Sequence, residues 1–245
     1  MLANMIARGS LLTAPERLTI ASYNLLAPIY VRPIDERTGT VQGFAAFEWA
    51  SAEDLDWERR RPRLLAELEA SKADVICLQE VQFERIPGKA DDDEDEYVLP
   101  SYLRLDNYEC ILPDKRPLRE MALRNERVLR VRAPVGNALL YRTDRLEAAD
   151  VPLSPRGSKK VEQQTGRVSA CVVGKAGGGL DALGRLALFS LHLDATSEDK
   201  RVKALSRCLE CARQSYGTRN VLLGGDLNAE LQLGSCVHAM VETGD

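Results

Sequence analysis

A chain of 245 residues with 44% hydrophobic and 29% charged residues has the composition of one large folded α/β domain, and is neither disordered nor fibrous. Its 33 basic against 37 acidic side chains leave a formal net charge of −4, which argues against a general electrostatic affinity for nucleic acid. No apolar run approaches the roughly 20 residues that a bilayer span needs, so no membrane association is expected.

Residues 1–17 carry Arg8 and no acid before Glu16, and they lack the continuous apolar stretch of a secretory signal. They read as a flexible leader, followed by a single domain over 18–245. Leu18–Leu26 is the first apolar run of strand length, and an irregular loop covers 31–52. Trp57–Ala70 sets Leu64, Leu65 and Leu68 on one face of a helix, with Pro62 suited to its first turn, so the helix proper is expected to begin near Pro62. Trp57, Arg60 and Arg61 at its start favour core packing over substrate contact.

Val75–Leu78 is a near-continuous apolar run that suits a strand covered on both faces. The acidic run Asp91–Glu96 reads as a solvated loop. Lys115, Arg116, Arg119, Arg124, Arg127, Arg130 and Arg132 then crowd one stretch against only Asp114, Glu120 and Glu126. This is read as a solvated helix face, with a polyanion-facing patch as the alternative. Val135–Tyr141 and Val168–Val173 are further strands, separated by a loop over 154–166. Gly177-Gly178-Gly179 is a turn, because it lacks the lysine and strand-to-helix context of a phosphate loop.

Leu186–Leu193 is a strand, Asp199–Tyr216 a helix capped from Thr196 or Ser197, and Val221–Leu223 the sixth strand. Cys208 and Cys211 lie at i, i+3 on that helix without the two further ligands a zinc ion requires. The six cysteines, Cys77, Cys110, Cys171, Cys208, Cys211 and Cys236, form no spaced framework and are expected to be reduced. A cytoplasmic location follows, with nucleus and mitochondrion as alternatives. No repeat or compositional break marks a second domain.

The residues suited to metal and phosphate chemistry all follow apolar runs: Asn24, Glu80, His192, Asp226 and Asn228. Strand ends present side chains to a cleft while the backbone holds them still. Magnesium takes hard oxygen ligands and keeps several waters, so Glu80 and Asp226 with the amides of Asn24 and Asn228 would suffice for Mg²⁺, or for Mn²⁺ as the alternative. His192 would then offer a hydrogen bond or charge to a phosphate oxygen. One Asp or His at a strand end is more simply a cap; five together outweigh that reading.

In order, Ser22-Tyr23-Asn24-Leu25-Leu26-Ala27, Leu78-Gln79-Glu80-Val81, Gly136-Asn137-Ala138-Leu139-Leu140-Tyr141-Arg142, Ser190-Leu191-His192-Leu193 and Gly225-Asp226-Leu227-Asn228-Ala229 resemble the signature segments of the endonuclease/exonuclease/phosphatase superfamily. The nearest likeness is to its deadenylase branch of Angel and nocturnin-like proteins, and it spans roughly Leu18 to Glu230. The resemblance implies a four-layered α/β sandwich, two mostly antiparallel sheets packed face to face with helices outside. Periodicity alone leaves that open against a doubly wound parallel sheet.

The resemblance further implies that Glu80 binds Mg²⁺ with Asn24 beside it, that Asp226 orients or deprotonates the attacking water, and that Asn228 and His192 hold phosphate oxygens. Asn137, Tyr141 and Arg142 are taken as substrate-binding positions, with packing the default reading for Tyr141 and Arg142 at their strand end. The implied reaction is hydrolysis of RNA from its 3′ end, poly(A) favoured. DNA or a small phosphodiester such as a phosphoinositide, or a catalytically inactive homologue, are the alternatives; no protein partner is legible.

Families of this kind add a strand pair bearing an aspartate and a closing Ser-Asp-His segment. Residues 231–245 contain neither, and His238, in Val237-His238-Ala239-Met240, is not carried over. The expectation is a domain incomplete at its C-terminus, with an exposed sheet edge.

Overall fold

The computed structural model describes residues 17–31, 37–39, 47, 50–88, 95–150 and 161–229. The leader up to residue 16, acidic residues 91–94, the segment 151–160 and the tail with His238 lie outside the described residues.

In chain order the strands are β1 (Ile20–Asn24), β2 (Val75–Gln82), β3 (Glu84–Ile86), β4 (Glu96–Val98), β5 (Tyr108–Ile111), β6 (Val135–Arg142), β7 (Leu146–Ala148), β8 (Arg167–Gly174), β9 (Leu186–His192) and β10 (Val221–Asp226). The helices are α1 (Pro28–Val31), α2 (Ala52–Leu55), α3 (Trp57–Ser71), α4 (Lys115–Leu129) and α5 (Glu198–Gln214). The six expected strands are present. The short β3, β4, β5 and β7 had no apolar run to announce them, since their pairing rather than their composition makes them strands.

One sheet runs β1-β2-β6-β5 and the other β10-β9-β8-β7. Each has one parallel pair, β1 with β2 and β10 with β9, and is otherwise antiparallel. The sheets meet across Val75, Cys77, Leu139 and Tyr141 on one side and Val168, Val172, Leu186 and Leu188 on the other. Outside the first sheet, Leu64 and Leu68 of α3 and Leu118 and Ala122 of α4 cover Ile76, Leu78 and Leu140. Outside the second, Leu205, Cys208 and Ala212 of α5 cover Ala187, Phe189 and Leu191. Central strands are therefore apolar on both faces, as their sequences suggested, and each buried leucine contributes about 1.5–3 kcal/mol. The layering is the expected α/β/β/α sandwich, not a doubly wound parallel sheet.

Two local readings are corrected, and the expected solvated basic helix is present. α3 starts at Trp57, five residues before Pro62, because Asp56 caps it by accepting from the Arg59 amide; the lost Pro62 donor is tolerated inside the helix. The acidic run is not wholly a solvated loop: Asp95 is held by Arg85 at 2.9 Å and Arg132 at 3.2 Å, and Glu96 enters β4. The basic stretch forms α4, with Leu118, Ala122 and Asn125 buried and its cations on the remaining surface.

Strand direction positions the chemistry. The C-terminal ends of the parallel partners β1 and β2 lie together, with Asn24 opposite Gln79, and those of β9 and β10 lie together, with His192 opposite Asp226. β1 packs against β10 across the sandwich, so all four ends share one mouth. A side chain at Gly224 would come within 2.6 Å of the Cys77 sulfur, and Gly225, at φ 155°, approaches the Leu191 backbone more closely than any Cβ allows. The Gly-Gly step thus lets β10 reach both β9 and the facing sheet before Asp226 emerges.

Candidate active site

Glu80 sits where β2 departs from regular pairing: the register with β6 shifts between Leu78 and Val81, and Glu80 has φ 54°. A bulge with a left-handed non-glycine residue costs on the order of 1–3 kcal/mol and re-aims the side chain into the mouth. The strain is met by direct contacts. Glu80 Oε1 accepts from Asn24 Nδ2 at 3.0 Å, and its Oε2 accepts from the Ala27 amide at 3.1 Å.

Asn24 Nδ2 also donates to Asp226 Oδ2 at 3.0 Å, so one amide group bridges two carboxylates. Its Oδ1 accepts from the Leu26 amide at 2.9 Å. The backbone donor fixes which end of the amide is oxygen. Asn24 thus turns its N–H groups toward the two acids, with its Oδ1 on the Leu26 amide.

Arg60, read in the sequence as packing, clamps this turn. Its guanidinium donates to the carbonyls of Leu25 at 3.0 Å and Leu26 at 2.9 Å, and it lies 5.2 Å over the Trp57 ring. Leu26 takes φ 53° under that clamp, which directs the next amide, Ala27, at Glu80.

Asp226 Oδ1 accepts from the Asn228 amide at 3.0 Å, and Asn228 Nδ2 donates to the Leu193 carbonyl at 2.9 Å, stitching the end of β10 to that of β9. His192 Nε2 stands 3.9 Å from Asp226 Oδ2, both side chains about 30% exposed (28% and 32%). That is too long for a hydrogen bond and within ion-pair range for a protonated imidazole.

Asn137 reaches the same mouth from the N-terminal half of β6. It is 1% exposed, donates from Nδ2 to the Ser190 carbonyl at 3.0 Å, and keeps a buried Oδ1 without a partner. Ser190 Oγ donates to the Leu78 carbonyl at 3.1 Å and receives Gln79 Nε2 at 3.2 Å. This buried polar bridge ties the two sheets beneath the site, and neither Gln79 nor Ser190 was singled out in the sequence. Apolar flanks concealed it.

Tyr141 and Arg142 are corrected. They lie at the opposite end of antiparallel β6, about 13 Å (Tyr141) and about 17 Å (Arg142) along the strand from Asn137. Tyr141 is buried with its hydroxyl donating to Glu109 at 2.6 Å, and Arg142 pairs with Asp144. Nearby Asp74, wholly buried, binds Arg145 at 2.7 Å and Thr19 at 2.8 Å. These groups anchor the far end.

An open cleft of about 340 Å³ fronts the site, lined by Glu80, Asn137, Gly136, Thr165, Gly166 and His192, with Tyr30 and Met121 at its side. Burial, and secondarily the Glu80 charge, raises the Tyr30 hydroxyl above its ordinary value, while Asn125 and Arg124 of α4 lower it. Arg124 and Asn125 of α4 therefore stand near Tyr30 at the side of the cleft. Sequence periodicity could not have placed Tyr30 there, since α1 is a single turn.

Among the described residues no group of three or more His, Cys, Asp and Glu side chains is placed to hold a metal ion by itself. Glu80 and Asp226 are two hard-oxygen donors with lone pairs to spare, which fits Mg²⁺ or Mn²⁺ completed by water and phosphate oxygens; zinc would want three or four protein ligands.

A four-layered sandwich with paired acids, an amide bridge and an imidazole at one mouth defines the class of hydrolases that cleave phosphate esters. The chain belongs to the Endonuclease/Exonuclease/phosphatase family, whose sequence profile matches residues 21–239. Members are hydrolytic enzymes that generally use divalent metal ions. No curated protein sequence matches.

Solved structures similar to it include the human Nocturnin catalytic domain with bound sulfate (16% identity, TM-score 0.54, 92% of this chain and 69% of that one). ANGEL2, a 2′,3′-cyclic phosphatase in complex with adenosine-2′,3′-vanadate, is similar at 18% identity and TM-score 0.55, with 93% of this chain and 57% of that one covered. A conserved protein of unknown function from Enterococcus faecalis V583 gives 19% identity and TM-score 0.51, over 92% and 71%. At these identities the likeness establishes the fold. The chain spans less than two thirds of ANGEL2.

Proposed function

We propose that this protein is a Mg²⁺-dependent phosphodiesterase that shortens single-stranded RNA from its 3′ end, with poly(A) the favoured substrate. The observation that carries this reading is the Asn24 amide joining Glu80 to Asp226 beside His192, at an open cleft. The basic helix α4 supports a polymer substrate, because its Met121 borders that cleft and its Arg124 acts on Tyr30 at the cleft's side.

The roles follow from the contacts. Glu80, oriented by Asn24 and the Ala27 amide, would hold the ion with Asp226 as its neighbour, with Mn²⁺ as the alternative to Mg²⁺. When bound, the ion neutralises charge on the phosphate oxygens. Asp226 orients the attacking water and takes its proton, its second oxygen being fixed by the Asn228 amide. His192 donates to a non-bridging phosphate oxygen, and Asn137 and Asn228 keep the cleft walls in register.

The five cysteines within the described residues are free thiols. Among the described residues no helix is long and apolar enough to cross a membrane. We favour a cytoplasmic enzyme.

The test is incubation of 5′-labelled oligo(A) with the protein and Mg²⁺ or Mn²⁺, read as a ladder of 3′-shortened products that disappears in Glu80→Gln. Full-length oligo(A) after incubation with either ion, or a ladder unchanged by Glu80→Gln, overturns the reading.

A further inference from the structure

A second cleft, of about 680 Å³, opens beside the first and shares its wall. Glu80 of β2 borders the first cleft and Gln82, two residues on, the second; Tyr30 of α1 borders the first and Pro28 the second. Gln82 Oε1 accepts from the Ile29 amide at 3.1 Å, fixing that partition. Two strand residues span about 7 Å.

The second cleft combines aromatic surface with guanidinium groups. Trp57 and Tyr102 meet edge to face at 5.6 Å, Arg61 lies 5.7 Å over the Tyr102 ring, and both rings are half-buried. Arg85 and Arg132 line the opposite side, sharing the single carboxylate of Asp95. Glu84 is the only acid among the lining residues, and Arg61 pairs outward with the exposed Glu58. Three arginines thus line the cleft against one lining acid, Glu84, while Glu58, Asp95 and Glu126 pair with them from outside the lining. Apart from Trp57, whose ring lies under Arg60, none of these residues takes part in the site around Glu80.

We propose that this cleft is a nucleotide subsite, taking a base against Tyr102 and Trp57 and its phosphate at Arg61, one unit along the same single strand whose end enters the cleft at Glu80. The chemistry specifies the ligand class. Stacking on aromatic rings accepts any base, and a guanidinium beside the ring supplies both stacking and charge for the phosphate that accompanies each base. A purely apolar partner would leave three arginines desolvated, and a free anion would make no use of the rings.

The proposal rests on the polynucleotide reading above, and the experiment separates the two. Binding of a fluorescent oligo(A) long enough to fill both clefts is measured by anisotropy with Mg²⁺ in the Glu80→Gln background, across a salt series, beside a dinucleotide that fills only the first cleft. Tyr102→Ala should weaken oligo(A) between about fivefold and a hundredfold and leave the dinucleotide unchanged, with Tyr102→Phe close to wild type. Arg61→Ala should lower the slope of log affinity against log salt by about 0.7, and Arg61→Lys should restore it. Urea midpoints identify any variant that fails to fold, and Tyr102→Phe with Arg61→Lys then carry the comparison.

Oligo(A) affinity and salt slope unchanged in both alanine variants overturn the subsite while leaving the enzyme reading intact. Binding of the dinucleotide without any tighter binding of oligo(A) overturns the subsite and the polymer substrate together.

Discussion

Asn24 Nδ2 lies 3.0 Å from Asp226 Oδ2, across 202 positions of sequence and from one sheet to the other. The same nitrogen bonds Glu80, so two like charges that would repel are kept at one mouth by a shared neutral donor. The charged partners gain from each N–H bond roughly 1.5–3 kcal/mol.

Asn24→Ala should leave Glu80 and Asp226 facing each other without that donor. Weaker Mg²⁺ binding by calorimetry, and hydrolysis of oligo(A) reduced by about two orders of magnitude, are expected, with the urea midpoint changed by far less than the rate. Asn24→Asp should be worse on both counts, since it adds a third negative charge. Wild-type Mg²⁺ affinity in both variants would remove Asn24 from the site.

Arg60 should prove indispensable to the turn and not replaceable by lysine. A compact ammonium cannot hold the Leu25 and Leu26 carbonyls together in the fixed fork of a guanidinium. Arg60→Lys should lower kcat at least about tenfold with little change in stability, while Arg60→Ala adds a loss of about 1–3 kcal/mol by urea unfolding. Equal kcat for Arg60→Lys and wild type would refute the clamp.

Stability should fall in alkali. Burial pushes the Cys77 thiol up to about 12 and the Cys208 thiol up to about 11, from an ordinary value of 9.0. Above pH 9 the unfolded chain loses these protons and the folded one retains them, so their contribution is complete below 9 and declines as pH rises through that window. Each thiol accounts for at most about 1.4 kcal/mol per pH unit. Urea midpoints at a series of pH values check this: Cys77→Ala should flatten the decline.

The far end of β6 should be irrelevant to chemistry and important to folding. Arg142→Ala should keep KM and kcat within about twofold, because it lies about 17 Å along the strand from Asn137. Arg145→Met should cost roughly 3–5 kcal/mol by taking from the buried Asp74 carboxylate the nearer of its two cations, Arg142 standing off at 3.9 Å. A raised KM in Arg142→Ala would return that residue to the substrate.

The amino-acid order by itself determined that the central strands are largely buried on both faces, that Asn24, His192 and Asp226 close strands, and that Glu80 follows an apolar run. A strand packed between two layers is mostly apolar, so polar residues after an apolar run lie near its exit from the core, although Gln79, Asn137 and Ser190 stay buried by hydrogen-bonding across the sheets. Tertiary structure alone decided which strand ends meet. Side-chain alternation is the same whichever way a strand runs, so nothing in β6 announced that Asn137 faces the carboxylates while Tyr141 and Arg142 face away. Nor could local sequence orient the Asn24 amide, set by the Leu26 N–H on one side and two distant acids on the other. Those partners exist only once the sheets have closed.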